Sequence, residues 1–283
     1  LRLNLILNNL VHSLSNVIHG DTLTNPAHLN EGRNGLKQFD YIVSNPPFKM
    51  DFSETRDQLA DDKFKDRFFA GVPNIPDNKK DSMSIYLMFI QHILYSLNEN
   101  GKAAIVVPTG FLTAQTKIEK TIREKIVNDK SLRGVISMPS NIFATTGTSV
   151  SIIFINKNKN DIVNKKVILI DASNLGKKVK EGKNQKTALS SEEMKRIVNV
   201  FNNSVEEEHF SINVTYDEIS KNKYQLHAGQ YFKFETPFSR LSEEEYKATI
   251  KKYAEILSND FKIEESLNTD ILSLLEDLYN GRV

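Results

Sequence analysis

Residues 39–48 read FDYIVSNPPF, a short apolar run that leads into two consecutive prolines. Residues 41–43 predict a buried strand. The strand must stop at Asn45, because Pro46 and Pro47 have no backbone N–H to donate to a neighbouring strand. Each proline also holds the residue before it in an extended conformation. This pattern predicts a stiff turn at the carboxyl end of a strand, where ligands bind in α/β sheets. A proline-rich strand terminator followed by a buried Phe48 is the alternative interpretation.

The composition describes a globular protein with room for one large domain or two ordinary ones. Of its 283 residues, 39% are apolar and 26% are charged, and no apolar run is long enough to cross a bilayer. Residues 1–14 lack the features of a signal peptide. The absence of cysteine excludes disulfides, a thiol nucleophile and zinc sites built on thiolates. With six scattered histidines, the sequence predicts a cytoplasmic protein that holds no metal.

The net charge of +1 conceals two segments of opposite sign. Residues 156–186 contain nine lysines against three acidic residues. Residues 241–283 contain ten acidic residues against five basic ones. The first segment suits phosphates and the second suits a basic partner, although two solvated surfaces would look the same.

Hydrophobic periodicity predicts an alternation of helices and strands along the chain. Ser190 and Glu193 form the sequence signature of a capping box at the start of one helix. The alternation predicts an α/β fold, a mostly parallel sheet with helices on both faces. The predicted helices are 3–14, 82–97 (ended near Gly101), 118–126, 190–201, 242–257 and 263–278. The predicted strands are 16–19, 41–43, 103–107, 132–138, 149–155 and 167–170.

A long polar segment, residues 49–81, follows the two prolines and is rich in turn residues. It interleaves four phenylalanines with four cations, a mixture that suits nucleic acid. Aromatic rings folded back onto the protein body would give the same sequence. The eight residues are Phe52, Arg56, Lys63, Phe64, Lys65, Arg67, Phe68 and Phe69.

Several stretches together resemble the modification subunits of type I restriction–modification systems, which are N6-adenine DNA methyltransferases that use S-adenosylmethionine. The resemblance covers residues 3–231 in the order of that family. The matching stretches are IHGDTL (18–23), FDYIVSNPPF (39–48), FIQHILYSLNENGKAAIVVPTGFL (89–112), IEKTIREKI (118–126), VISMPSNIFATTGTSVSIIFINK (135–157) and EISKNKYQLHAGQY (218–231).

This resemblance implies a class I S-adenosylmethionine-dependent methyltransferase, a Rossmann-like sheet with strand order 3-2-1-4-5-7-6. Residues 16–19 would be its third strand and 41–43 its fourth. The family's glycine-rich loop after the first strand, and the acidic residue after the second, are not found here. We therefore expect an N-terminally truncated chain whose sheet lacks the first two strands and which is inactive in isolation. Residues 1–212 would form the catalytic domain, and residues 213–283 an extension that ends in two helices.

The resemblance also implies the residues of the site. Asn45 and the Pro46 carbonyl would hold the target amine, Pro47 would stiffen the turn, and Phe48 would stack on a flipped base. Asp21, Thr22 and Phe39 would bind S-adenosylmethionine, and Thr109 and Phe111 would line the base pocket. For Asp21 the alternative is a carboxylate that caps its own turn, and for Phe39 it is core packing.

Implied partners are double-stranded DNA, a specificity subunit, a restriction subunit and a second copy of the modification subunit, with no membrane. The C-terminal extension is the candidate docking region. Two other functions remain open. A protein-glutamine N5-methyltransferase shares the Asn-Pro-Pro-aromatic turn but usually has Tyr at the position of Phe48. An inactive fragment that acts only as an interaction scaffold is the other.

Overall fold

The structure is a computed structural model that describes residues 1–32, 34–143, 148–158, 166–181, 184–232 and 242–280. It consists of two units, Leu1–Phe232 and Lys233–Val283. The predicted domain boundary at residue 212 lies twenty residues too early. Residue 212 falls inside a strand of the first unit, and an element that pairs into a sheet cannot be separated from it. Among the helices described here, none combines the length and apolarity that spanning a bilayer would require.

A six-stranded sheet forms the centre of the first unit, in the order β1-β2-β4-β3-β5-β8. β1 pairs in parallel with β2, and β3 with β5, whereas β4 and β8 are antiparallel to their neighbours. Four of the six strands therefore point the same way. The strands are β1 (Phe39–Ser44), β2 (Leu97–Pro108), β3 (Leu132–Ser137), β4 (Val150–Asn156), β5 (Lys166–Asp171) and β8 (Ser211–Thr215).

The order β1-β2-β4-β3 corresponds to strands 4-5-7-6 of the predicted sheet, so this part of the topology is confirmed. In the described residues β1 pairs only with β2, and its other edge has no strand beside it. The predicted strand 16–19 is wrong, because a strand needs a hydrogen-bonding neighbour and none is present there. The predicted helix 3–14 is also divided, into α1 (Arg2–Leu7) and a 3₁₀ turn (Val11–Asn16).

Helices cover both faces of the sheet. α3 (Tyr86–Ser96) and α4 (Lys117–Asn128) pack on one face, and α5 (Ser191–Asn203) packs on the other. Successive residues of β5 alternate between the two clusters, as the pleat of a strand requires. The capping box of α5 is confirmed, because Ser190 Oγ accepts from the Glu193 amide and the Glu193 carboxylate accepts from the Ser190 amide.

The sequence pattern predicts that Gly101 ends α3. In the structure Gly101 instead lies inside β2, which begins immediately after the helix. A Cβ atom there would meet Leu97 Cδ2 at 2.3 Å and the Phe39 carbonyl oxygen at 2.9 Å. The glycine therefore allows β1 and the start of β2 to approach closely.

Residues 49–81 form a closed segment, called the excursion below, whose apolar side chains share a small core with Leu23 and with residues 83–88. The Met50 amide donates to the Met83 carbonyl at 3.1 Å, which ties the two ends together. Phe52 and Phe68 are buried, so the interpretation of these rings as a nucleic-acid surface is wrong and the folded-back alternative holds. The cluster consists of Leu23, Phe52, Leu59, Phe68, Met83, Ile85 and Met88, and the excursion includes α2 (Arg56–Leu59) and a 3₁₀ turn (Asp62–Phe64).

The first unit also contains two further strands and one further α-helix. β6 (Lys177–Glu181) and β7 (Asn184–Ala188) form a separate antiparallel ribbon, and α6 (Tyr216–Lys221) follows β8.

The second unit contains one 37-residue helix, α7 (Glu243–Tyr279), whose N-terminus is a capping box of Ser242 and Glu245. The prediction of two helices is wrong, because residues 258–262 contain neither Gly nor Pro to interrupt the helix. Large apolar side chains along α7 are exposed.

Candidate active site

The Asn-Pro-Pro turn leaves the sheet at the carboxyl end of β1, as the sequence predicts. β1 ends at Ser44, and the next residue, Asn45, is exposed. Pro46 is buried and anchors the turn. Within the described residues the Asn45 side chain has no hydrogen-bond partner, so its amide is available to a ligand.

The Phe48 ring belongs to a layer of three aromatic side chains. It meets Tyr86 edge-on with 6.5 Å between centroids, and Tyr86 meets Phe111 in the same way at 6.0 Å. Phe48 is half-buried, whereas Phe111 is 1% exposed. Phe111 therefore supports Tyr86 from the core and has no exposed face to line a base pocket, which differs from its predicted role.

Asp21 forms a tight turn that its own carboxylate stabilises. Asp21 Oδ1 accepts hydrogen bonds from the amides of Leu23 at 2.8 Å and Thr24 at 3.3 Å. The alternative interpretation of Asp21 as a turn cap is therefore correct as a description of this oxygen. Asp21 and Thr22 remain exposed, while Leu23 is buried in the cluster of the 49–81 excursion. The turn thus presents two polar side chains and is anchored by one apolar side chain.

Arg67 attaches this turn to the excursion. Its side chain is 4% exposed, and its Nη2 donates to the Leu23 carbonyl at 2.6 Å. The guanidinium lies 4.5 Å from the centroid of the Phe64 ring and 4.4 Å from that of Phe68. Burial lowers the pKa of Arg67, with the neighbouring Asp21 acting in the opposite direction. The excursion that follows the Asn-Pro-Pro turn therefore contacts the Asp21 turn through one charged hydrogen bond.

A cleft of about 600 Å³ lies between the Asp21 turn and the start of the excursion. Asp21 and Thr22 line one side and Asp51 lines the other, and the volume is in the usual range for a small-molecule pocket. The Asp51 carboxylate accepts from the Ser53 amide at 2.9 Å, and this bond lowers the pKa of Asp51. Exposed carboxylates beside a threonine fit the amino, hydroxyl and adenine amine groups of S-adenosylmethionine.

Phe39 lies beside a second, smaller cavity of about 80 Å³, which Thr22 and His92 also line. The Phe39 ring is half-buried and meets His28 edge-on at 6.1 Å. His92 Nδ1 is buried and has no hydrogen-bond partner in the part of the chain that the structure describes. Burial, followed by the charge of Arg67, lowers the pKa of His92 to about 4. Thr22 therefore lines both cavities, whereas Phe39 lines only the smaller one.

Thr109 lies at the carboxyl end of β2, beside the Asn-Pro-Pro turn on the neighbouring parallel strand. Its hydroxyl is 3.0 Å from Ser151 Oγ, and its amide donates to the Ser149 carbonyl. Ser151 pairs directly with Ser137, whose buried hydroxyl lacks a partner among the described residues. The hydroxyl groups of Thr109, Ser151 and Ser137 therefore lie on, or directly after, three neighbouring strands at the sheet edge that carries Asn45.

Comparison with known proteins assigns this arrangement to a family. The model of the family described as N-6 DNA Methylase matches residues 1–256. The chain belongs to the N-6 DNA methylase family.

Curated members of the family are type I restriction enzyme methylase subunits. The MpnII methylase subunit of Mycoplasma pneumoniae is 32% identical over 98% of this chain and 48% of its own length. The MjaIX methylase subunit of Methanocaldococcus jannaschii is 30% identical over 85% of this chain and 42% of its own length. The chain thus spans about half the length of the curated relatives that it matches.

A solved structure of the same kind has the same fold. The type I restriction–modification methyltransferase subunit of Streptococcus thermophilus aligns with a TM-score of 0.63 and 27% identity, over 81% of this chain and 44% of that one. The first unit thus has the fold of a type I restriction–modification methyltransferase subunit, in agreement with the sequence resemblance.

Four residues of this candidate site were given no individual role by sequence reasoning: Asp51, Arg67, Tyr86 and His92. Arg67 reads as one of several cations in a polar segment, and only folding places it under the Asp21 turn. Tyr86 and His92 lie on α3, where a helical stripe of core residues hides both side chains. An arginine among closely spaced phenylalanines is the one sequence signal for a buried guanidinium.

Proposed function

We propose that this chain is the catalytic part of a type I modification subunit, which transfers a methyl group from S-adenosylmethionine to N6 of an adenine in DNA. The observation that carries the proposal is the exposed amide of Asn45, which has no partner among the residues that the structure describes, on a proline-stiffened turn at the carboxyl end of β1. Family membership and the nearby cleft lined by Asp21 support it.

Asn45 and Pro46 activate the adenine amine in this proposal. The lone pair of N6 is delocalised into the ring, so the amine is a poor nucleophile. The Asn45 side-chain oxygen and the Pro46 backbone oxygen each accept one N6 hydrogen and draw the nitrogen toward tetrahedral geometry. N6 would then take up the methyl group as that group's bond to sulfur breaks, and the amine, still held by Asn45 and Pro46, would release its extra proton to solvent. Because both prolines fix the turn, little reorganisation opposes this step.

Phe48 stacks on the target adenine once the base leaves the duplex. Its ring is half-buried and rests edge-on against Tyr86. Stacking on an aromatic side chain contributes about 1–3 kcal/mol per base. The aromatic layer therefore offsets part of the cost of unstacking the base, and Thr109 lies at the same edge of the sheet.

The cofactor lies between the Asp21 turn and the start of the excursion. Bound there, S-adenosylmethionine supplies an electrophilic methyl group on a positively charged sulfur. Asp21 would accept a hydrogen bond from the adenine amine through the carboxylate oxygen that its turn leaves free, and Thr22, which lines both cavities, would contact the same moiety. Phe39 would flank the adenine from the smaller cavity beside Thr22. Asp51 places a second carboxylate across the cleft.

We assign sequence recognition to a separate specificity subunit, which docks on α7. The exposed apolar residues Leu267, Ile271, Leu274, Leu275 and Leu278 give that helix a surface suited to a partner. A second modification subunit and a restriction subunit complete the assembly around double-stranded DNA. Names of the relatives as type I methylase subunits support this arrangement.

Asn45→Ala in the complete modification subunit tests the proposal. We expect methyl transfer to DNA to fall below a few per cent of wild type, with S-adenosylmethionine binding near normal, because one of the two acceptors for N6 is lost. Asn45→Asp keeps an acceptor of the same length and should retain measurable transfer. Asn203→Ala, at the end of α5, is the control and should be fully active. Transfer by Asn45→Ala above a few per cent would refute the role of Asn45.

Assays of the complete subunit also distinguish the two alternative functions. Transfer to a glutamine-containing protein and not to DNA would indicate a glutamine N5-methyltransferase. No transfer to either, together with no cofactor binding by the complete subunit, would indicate an interaction scaffold.

A further inference from the structure

A basic ribbon, defined here as β6 and β7, stands apart from the central sheet. The two strands pair only with each other, Lys178 opposite Thr187 and Lys180 opposite Gln185. Residues 177–188 contain five lysines and one glutamate. Lys178 and Lys180 are both exposed, and because side chains alternate along a strand, they lie on one face of the ribbon.

The root of the basic ribbon is held in place on both strands. The Thr187 amide donates to the Asn141 carbonyl at 2.8 Å, and Thr187 Oγ1 donates to the Ser140 carbonyl at 2.7 Å. On the other strand, the Gly176 amide donates to the Glu193 carboxylate at 2.8 Å. Gly176 has φ +85, and a Cβ there would lie 2.6 Å from Thr187 Cγ2, so the ribbon enters through a glycine turn.

These anchors place the ribbon at the catalytic edge of the sheet. Asn141 follows the carboxyl end of β3, and Gly176 follows the carboxyl end of β5. Both strands run parallel to β1, whose carboxyl end leads to Asn45. The ribbon and the proposed methyl-transfer site therefore lie on the same side of the molecule.

The sheet order fixes the separation between the two features. β3 is three strand positions from β1 and β5 is four. At about 4.8 Å per position, the ribbon root lies about 14–19 Å across the sheet from Asn45. The rise of duplex DNA is about 3.4 Å per base pair, so this distance corresponds to roughly four to six base pairs.

We propose that the basic ribbon binds the phosphate backbone of duplex DNA a few base pairs from the target adenine, through Lys178 and Lys180. This inference rests on the proposed function, because it takes DNA as the substrate. Lysines on one face of an anchored ribbon contact phosphates as point charges without reading the sequence. The ribbon would hold the duplex while Asn45 and Phe48 engage the extruded base.

The test is the salt dependence of DNA binding by the complete modification subunit assembled with its specificity subunit. The variant is Lys178→Gln with Lys180→Gln, which removes two charges and keeps side-chain length. Each lost phosphate contact makes the plot of log affinity against log salt concentration shallower by about 0.9. Losing both contacts should reduce the slope by about 1.8 and weaken binding at 0.1 M salt by up to about 60-fold.

Lys130→Gln with Lys166→Gln is the matched control. Both lysines are exposed, and they lie at the amino ends of β3 and β5, on the opposite edge of the sheet. This pair should leave the slope and the affinity unchanged. Neither pair should change S-adenosylmethionine binding or the thermal unfolding midpoint.

The proposal would be overturned if the ribbon variant kept the salt slope of the wild type. It would also be overturned if the ribbon variant and the control variant lost DNA affinity to the same extent. If the wild-type complex methylates DNA and the ribbon variant binds DNA with normal affinity, the proposed role of the ribbon is overturned but the proposed function is not. A wild-type complex that neither binds nor methylates DNA would overturn the proposed function first.

Discussion

Replacing Arg67 by Met tests whether the excursion of residues 49–81 positions the Asp21 turn, to which we assign cofactor binding. Methionine keeps an unbranched apolar stem between the Phe64 and Phe68 rings but cannot donate to the Leu23 carbonyl. We expect the Asp21 turn to lose its attachment while the sheet stays intact. Arg67 is a positioning residue in this view, because it contacts the turn and not the reacting atoms.

The structure sets the size of the effect. A buried hydrogen bond from a charged donor contributes about 1.5–3 kcal/mol, and each cation–π contact adds about 0.5–2 kcal/mol. Relief of the desolvated charge offsets part of this loss. We therefore expect Arg67→Met to lower the free energy of unfolding by about 2–4 kcal/mol. Loosening of the turn should raise the KM for S-adenosylmethionine about tenfold, equivalent to about 1.4 kcal/mol, and leave kcat within about twofold.

Arg133→Met is the matched control. Its half-buried guanidinium also donates to a backbone carbonyl, that of Phe201 at 3.0 Å, and lies over the Phe201 ring. It should cost stability without changing the KM, since its contacts are to α5 on the other face of the sheet. Unfolding in urea, cofactor titration and steady-state kinetics on the complete subunit measure the three quantities. An unchanged KM in Arg67→Met, with stability lost to the same extent as in Arg133→Met, would refute the positioning role.

Two further predictions concern stability and assembly. The pKa of His92 is lowered to about 4 in the folded protein, from an ordinary value of 6.5. As the pH falls, His92 is therefore protonated in the unfolded chain before it is protonated in the folded one. The contribution of His92 to the free energy of unfolding should be complete above pH 6.5 and should fall by about 3 kcal/mol as the pH drops to 4. The measurement is the free energy of unfolding in urea at pH 7 and at pH 4.5. His92→Gln should reduce the difference between the two values, and an unchanged difference would contradict the prediction. Ile271→Asp with Leu275→Asp places two charges one turn apart on α7 and should abolish co-purification with the specificity subunit. Asp260→Ala with Glu264→Ala on the same helix should not, and equal recovery of both variants would exclude this docking face.

Five of the six strands of the central sheet were predicted, because they are short apolar runs with clear ends, whereas β8 was not predicted. Pro46 ends β1, Pro108 ends β2 and Pro139 follows β3, and proline has the same consequence in any fold. The segment 16–19 looked like a strand by the same criteria. It failed because strand formation depends on a neighbour, and periodicity carries no information about which strand lies alongside.

The C-terminal helix shows a related limit. The apolar stripes of residues 242–257 and 263–278 were recognised, but the residues between them, SNDFK, are mostly polar and include weak helix formers that also suit a short loop. Polarity alone does not end a helix, and without Gly or Pro the backbone hydrogen bonds continue through to Tyr279.

Local chemistry along the chain was enough to place Asn45, Pro46, Pro47 and Phe48 on a rigid turn, because the conformational limits of proline act between adjacent residues. The contacts of Arg67 with the Asp21 turn, of Tyr86 with Phe48 and Phe111, and of Thr187 with the end of β3 join residues far apart in sequence. Each contact depends on how helices and strands pack in three dimensions. The identity of a side chain does not indicate whether it is solvated or buried, as Arg67 illustrates. For that reason the sequence alone predicted the Asn-Pro-Pro turn, while the contacts of Arg67, Tyr86 and Thr187 are visible only in the folded structure.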